Sequence, residues 1–215
     1  MSSGRALTGT AWAVLVLGLW VWGTDARQGP AHGSAPTTGD IAAVGRPPGV
    51  ALPPAHAPLD PVEPRRVDIP SVGISAPVVA RGLDPDGAID PPPFAMPRTV
   101  GWYAAGTRPG APGAALLVGH VDTDTRPAVF YGLSAVRPGA RVSVTRSDGS
   151  VAEFTIDEVD VLPRDGFDPR RAYGPREPDR AELRLITCGG DFDRETGAYT
   201  ANVVVSAYLT GTGGR

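Results

Sequence analysis

The chain has 215 residues, of which 41% are hydrophobic and 20% charged, with a formal net charge of -3. That is enough apolar side chain for one core of ordinary size, and the near-balance of charge excludes the basic field that holds nucleic acid. There is one cysteine, so no intramolecular disulfide can form, and every cationic side chain is arginine.

At the N-terminus Arg5 precedes ALTGTAWAVLVLGLWVWG, 18 residues from Ala6 to Gly23 without an ionisable side chain. This length predicts a single membrane-spanning helix, and Trp12, Trp20 and Trp22 suit its interfaces. The leading cation predicts a cytoplasmic start, with everything after residue 24 exported. Thr24-Asp25-Ala26 also fits a signal-peptidase site, and either outcome leaves the functional part outside the membrane. The reading adopted is an uncleaved anchor within residues 1–24.

Residues 25–64 are rich in Ala, Gly, Pro, Ser and Thr, as in VGRPPGVALPPAHAP. Proline at that density predicts an extended stalk, and a disordered linker describes it equally well. From residue 65 to 210 the pattern changes to short β-type runs between turn residues, with 211–215 as a tail. VDIPSVGISAPVVA reads as two strands, GWYA as the start of another, and AALLVGHVD as a buried strand. In ARVSVTRSDGSVAEFTIDEVDVL the apolar residues alternate on both sides of Asp148-Gly149, which predicts a hairpin with both turn residues left-handed. FYGLSAVRPG suggests a short helical turn. AELRLITC and ANVVVSAYL complete seven or eight strands, an all-β barrel or sandwich without a long amphipathic helix.

The predicted folded domain contains one histidine, His120, and one cysteine, Cys188. His120 closes the run LLVGH and Cys188 closes LRLIT, so both are expected where buried strands emerge into loops. A thiolate is the nucleophilic form of cysteine, an imidazole can carry protons to and from a reacting amide, and a guanidinium can hold a developing oxyanion. Gly189 and Gly190 are expected to leave room for a substrate beside the sulfur. The bland reading is a small buried thiol and an ordinary histidine. Asp122 and Asp124, or Asp157, Glu158 and Asp160, offer oxygen ligands, but no zinc or calcium spacing is present and they read as solvated loop and hairpin surface. No cofactor or metal is expected.

The segments GWYAAGTRPGAPGAALLVGHVDT, PAVFYGLSAVRPG, the DG hairpin and LRLITCGGDFDRETGAYTANVVVSA, spread over residues 66–209, resemble the sortases, and more closely the class F or class E type of high-GC Gram-positive bacteria. The resemblance implies an eight-stranded sortase β-barrel with short helical turns behind an N-terminal transmembrane helix. It implies a cysteine transpeptidase that cleaves an LPXTG-like sorting signal through a thioacyl intermediate and passes the acyl group to an amine of a peptidoglycan precursor. Its partners would be sorting-signal proteins, that amine acceptor and the membrane through residues 6–23, with the catalytic domain facing the cell wall. Cys188 matches the family nucleophile and His120 the general acid/base. The family arginine lies at the start of the strand after the cysteine, where this chain has Asn202. Arg194, between Cys188 and the tail, is the candidate for that role, and Arg98 or another guanidinium could also approach through space. Another exported cysteine peptidase, or a sortase-like surface module without catalysis, are the competing readings.

Overall fold

The computed structural model describes residues 51–85 and 87–214. The anchor expected at residues 6–23 and the stalk up to residue 50 lie outside them. Among the described residues, no helix is long and apolar enough to cross a membrane.

Eight strands close into a barrel in the order β1 (Pro64–Ile69), β2 (Ile74–Arg81), β3 (Val100–Tyr103), β4 (Gly113–Val118), β9 (Ala181–Asp193), β10 (Ala198–Gly213), β8 (Val151–Pro163) and β7 (Arg141–Arg146), which pairs back to β1. The short strands β5 (Asp122–Thr123) and β6 (Arg126–Pro127) form a separate ribbon. Neighbours are antiparallel except β2 with β3 and β4 with β9. Each of these parallel pairs needs a long connection, and closure leaves no barrel edge unpaired. The one α-helix among the described residues, α1 (Pro169–Tyr173), is short and lies in the β8–β9 connection. The turn expected in FYGLSAVRPG is a 3-10 turn at Leu133–Ala135.

Alternation in the sequence becomes inside and outside of the barrel. Val142, Val144, Phe154 and Ile156 are fully buried in the interior, as are Leu183 and Leu185 of β9. The hairpin between β7 and β8 differs from expectation in one detail. Of the two turn residues Gly149 alone is left-handed, at φ 85°, and among the described residues no non-glycine has positive φ. Gly149 N–H donates to the Arg146 carbonyl, and Arg146 N–H to the Ser150 carbonyl. Asp148 instead accepts from Ser150 N–H and Oγ, so its side chain stabilises the turn and its backbone need not be left-handed.

The outer face of β4, β9, β10 and β8 is also apolar where two connections cover it. Leu116, Val118, Ile186, Leu162 and Val204 pack there with Ile89 from the β2–β3 connection and Phe167, Ala172 and Tyr173 from the β8–β9 connection. The β8–β9 connection is tied down by charge. Glu182, 1% exposed, accepts from the backbone N–H groups of Arg176 and Glu177, from Arg180 and from the equally buried Arg184. Arg184 in turn donates to the carbonyl of Gly174, which caps α1. Burial alone would raise the Glu182 pKa, but these donors outweigh it and hold the carboxyl below its ordinary value. Burial also pulls Arg184 down from the usual guanidinium value.

Asp157 corrects the assignment of its stretch to solvated surface. It is 7% exposed and pairs with Arg176, at the point where the β8–β10 register shifts between Ile156 and Glu158. Its pKa is raised, chiefly by burial.

The end of the stretch read as stalk lies on the barrel. Tyr208 Oη donates to the Pro53 carbonyl at 2.5 Å, His56 N–H to Leu209 at 2.9 Å and Arg146 to Asp60 at 2.7 Å.

Candidate active site

The covered outer face opens into a cavity of about 360 Å³ lined by both His120 and Cys188. Its floor is the barrel itself. Residues 182, 184, 186 and 188 of β9 alternate onto the outer face. Ile186 pairs with Val118 of β4 on one side and Val204 of β10 on the other. His120 follows two residues after Val118, beyond the end of β4. Ala88, Ile89 and Pro91 form one wall, and Arg164, Phe167 and Tyr173 form the other.

His120 is held from the β2–β3 connection. Its Nε2 is 2.7 Å from the Pro92 carbonyl. A carbonyl only accepts, so the neutral ring carries its hydrogen on Nε2 and leaves Nδ1 as the free acceptor. Phe94 stacks on the imidazole with centroids 4.3 Å apart.

Cys188 is a free thiol, partly exposed, and burial pushes its pKa above the ordinary thiol value. Arg164 opposes that shift and Asp122 adds to it. The resting group is therefore mainly the neutral thiol near neutral pH. Asp122 accepts a hydrogen bond from Tyr199 Oη at 2.5 Å. Burial, followed by this bond to a carboxylate, raises the Tyr199 pKa. No hydrogen bond joins His120 to Cys188 among the described residues, so a proton passing between them needs a bridge across the cavity.

Two local expectations change. Cys188 does not end its strand, because β9 continues to Asp193. Between Gly189 and Phe192 the register with β10 shifts by one residue, and Gly190 takes φ 75° at that bulge. A Cβ on Gly190 would stand 2.6 Å from Thr200 Oγ1, so Gly190 serves the backbone of the bulge. Thr187 lies on the opposite face from Cys188, its hydroxyl buried without a partner.

The structure brings together Cys188 and His120 and leaves Arg194 apart. Arg194 occupies the turn between β9 and β10, whose bonds run from Glu195 N–H, Thr196 N–H and Thr196 Oγ1 to Asp193. Arg98 lines a different depression with Val72 and Tyr131. The arginine among the lining residues is Arg164, whose Nη1 donates to the Tyr199 carbonyl at 3.4 Å, and the sequence reading missed it. Its signal, the PRDG that follows the hairpin's return strand, acquires meaning only once β8 is known to pair with β10.

Residues 67–210 match the sortase domain family. The fold is similar to sortase C-1 from Actinomyces oris, with a TM-score of 0.53 at 21% identity over 71% of this chain and 76% of that one. It is also similar to sortase A from Listeria monocytogenes, with a TM-score of 0.52 at 19% identity over 71% and 90%. Sortase A from Corynebacterium diphtheriae gives 0.52 at 17% identity over 75% and 63%. None of the curated proteins matches the chain.

Proposed function

The chain belongs to the sortase family, and on that premise we propose that it is a membrane-anchored cysteine transpeptidase of the class F or class E type, acting on LPXTG-like sorting signals outside the cell. The observation that carries this reading is the cavity lined by both His120 and the chain's one thiol, Cys188. The apolar floor of Val118 and Ile186 beside Ile89 and Phe167 suits the aliphatic part of such a signal.

In the first half-reaction the Cys188 proton passes to His120 Nδ1 as substrate bridges the cavity, and the sulfur bonds to the threonine carbonyl carbon. The carbonyl π pair moves to oxygen. When it returns, the C–N bond breaks, its electron pair stays on the glycine nitrogen, and His120 supplies the proton that this amine needs. A thioester remains on Cys188. In the second half an amine of a peptidoglycan precursor attacks that carbonyl and gives its proton to His120, and the thiolate that leaves as the new amide forms takes that proton back, restoring the resting thiol and imidazole. Water in place of the amine gives hydrolysis. The neutral resting thiol fits this sequence, because its proton is the one later delivered to the leaving amine.

The anchor at residues 6–23 and the stalk would hold the barrel on the cell-wall side of the membrane. The test is chromatographic. The protein is incubated with LPXTG-like peptides and excess triglycine, and the transfer product is quantified. Transfer abolished in Cys188→Ala and His120→Ala supports the reading, while transfer that survives Cys188→Ala overturns it.

A further inference from the structure

Asn202 stands directly opposite Cys188 on β10 and directly opposite Leu162 on β8. Opposed residues share a face, so Cys188, Asn202 and Leu162 form one row across the outer surface. Arg164 lies two residues beyond Leu162, and alternation returns it to that face. Its N–H donates to the Thr200 carbonyl at 2.9 Å, which continues the β8–β10 ladder just past Pro163 and fixes where the side chain starts. Two strand spacings and a two-residue step put its Cα about 12 Å from that of Cys188, a gap that an extended arginine crosses while leaving space for one carbonyl group. Arg164 and Asn202 both line the cavity.

We propose that Arg164 is the catalytic arginine of this chain, supplied from the end of β8 across Asn202, and that its guanidinium holds the scissile carbonyl oxygen as it becomes an oxyanion. This rests on the transpeptidase reading. A planar, permanently charged donor at that oxygen is worth more in the transition state than in the ground state, because the oxygen gains its charge only as the C–S bond forms. The same cation favours the thiolate, against the opposing charge of Asp122. Arg164 from the end of β8 and His120 after β4 share the cavity with Cys188, and Asp122 of β5 and Tyr199 of β10 are close enough to couple to it electrostatically. Asn202, the fifth residue of β10, carries no charge, so on this assignment the cation comes from the end of β8. Arg194 has no part in it.

The experiment uses the full chain with two probes, a library of LPXTG-like peptides for acylation and iodoacetamide for the thiol. Arg164→Ala is expected to slow thioacyl formation about 100- to 1,000-fold, the usual loss for one oxyanion donor. The same variant should move the pH profile of Cys188 alkylation upward. Arg164→Lys keeps the charge without the fork and should fall between. Adding Asn202→Arg to Arg164→Ala returns a guanidinium from the neighbouring strand and should restore at least about tenfold of the lost rate, a recovery that repair of a merely structural defect would not give. Arg194→Ala should acylate like the parent. Normal acylation by Arg164→Ala, or its loss in Arg194→Ala instead, overturns the assignment and leaves the transpeptidase reading intact. If no peptide acylates the parent protein, that reading fails, and an unmoved alkylation profile in Arg164→Ala then overturns the thiol–guanidinium placement independently.

Discussion

The phenyl ring of Phe94 lies 4.3 Å from the imidazole of His120, tilted by 21°, while the carbonyl of Pro92 two residues earlier accepts from Nε2 of the same ring. One proline-rich connection thus sets both the plane and the tautomer of the imidazole. Phe94 is 64% exposed, so the ring contributes little to the core. Phe94→Ala is expected to lower the transfer rate about 2- to 10-fold, equivalent to the ~0.5–1.5 kcal/mol of an aromatic pair, with the thermal midpoint unchanged. Phe94→Trp should retain the parent rate. Steady-state kinetics alongside a melting curve check both.

The buried Glu182–Arg184 pair positions the wall that carries Phe167 and Tyr173. Removing one partner strands the other charge, so Glu182→Ala should destabilise the fold by about 3–5 kcal/mol in urea denaturation. Replacing both by methionine should cost much less than the sum of the single changes. Gly174 loses its guanidinium donor in that double variant, so KM for a sorting peptide should rise more than kcat falls. A double variant as unstable as Glu182→Ala alone would show that the pair acts through packing.

Gly190→Ala tests the bulge beside Cys188. Its φ of 75° disfavours any Cβ, and the added atom meets Thr200 Oγ1, which accepts from Asp191 N–H at 3.0 Å. The expected loss is about 1–3 kcal/mol, read from the shift in the urea midpoint. Thr200→Ala in the same chain removes the clash and leaves the strain, so it should recover only part of that loss.

The fold was legible where its strands alternate, as β7 and the start of β8 do. Val142, Val144, Phe154 and Ile156 announce their inner face by spacing alone, and the hairpin between them needs only Gly149. Cys188 and His120 were legible as scarce chemistry at the ends of apolar runs. Arg164 was not, because it reaches the cavity through the pairing of β8 with β10, and register between strands that distant leaves no local mark. The function of Gly190 was hidden for a related reason, since a bulge and a substrate-sized gap both favour glycine. Asp157 looked like hairpin surface because its partner Arg176 is supplied by a connection whose path the sequence does not specify.

The raised Cys188 pKa gives a pH prediction with a definite sign. The folded thiol holds its proton to higher pH than the unfolded one, chiefly through burial, with Asp122 adding to the shift. Alkylation by iodoacetamide should therefore be slow at neutral pH and rise through a midpoint above that of an ordinary cysteine. Folding stability should fall over the window from the unfolded thiol pKa up to the folded one, because the unfolded chain releases its proton first. Asp122→Asn removes a charge that disfavours the thiolate and should shift the alkylation midpoint down. A midpoint at or below the ordinary value in the parent protein would contradict this electrostatic picture.

The central claim, that Cys188 forms the thioacyl intermediate with His120 as its proton carrier, is tested most directly by intact-mass spectrometry of the protein incubated with LPXTG-like peptides and quenched in acid. The account predicts an adduct equal to the peptide's acyl portion on the parent chain, absent in Cys188→Ala, strongly diminished in His120→Ala, and discharged when triglycine is added. A folded protein with a reduced thiol that gains no mass with any peptide, or an adduct that persists in Cys188→Ala, would contradict it.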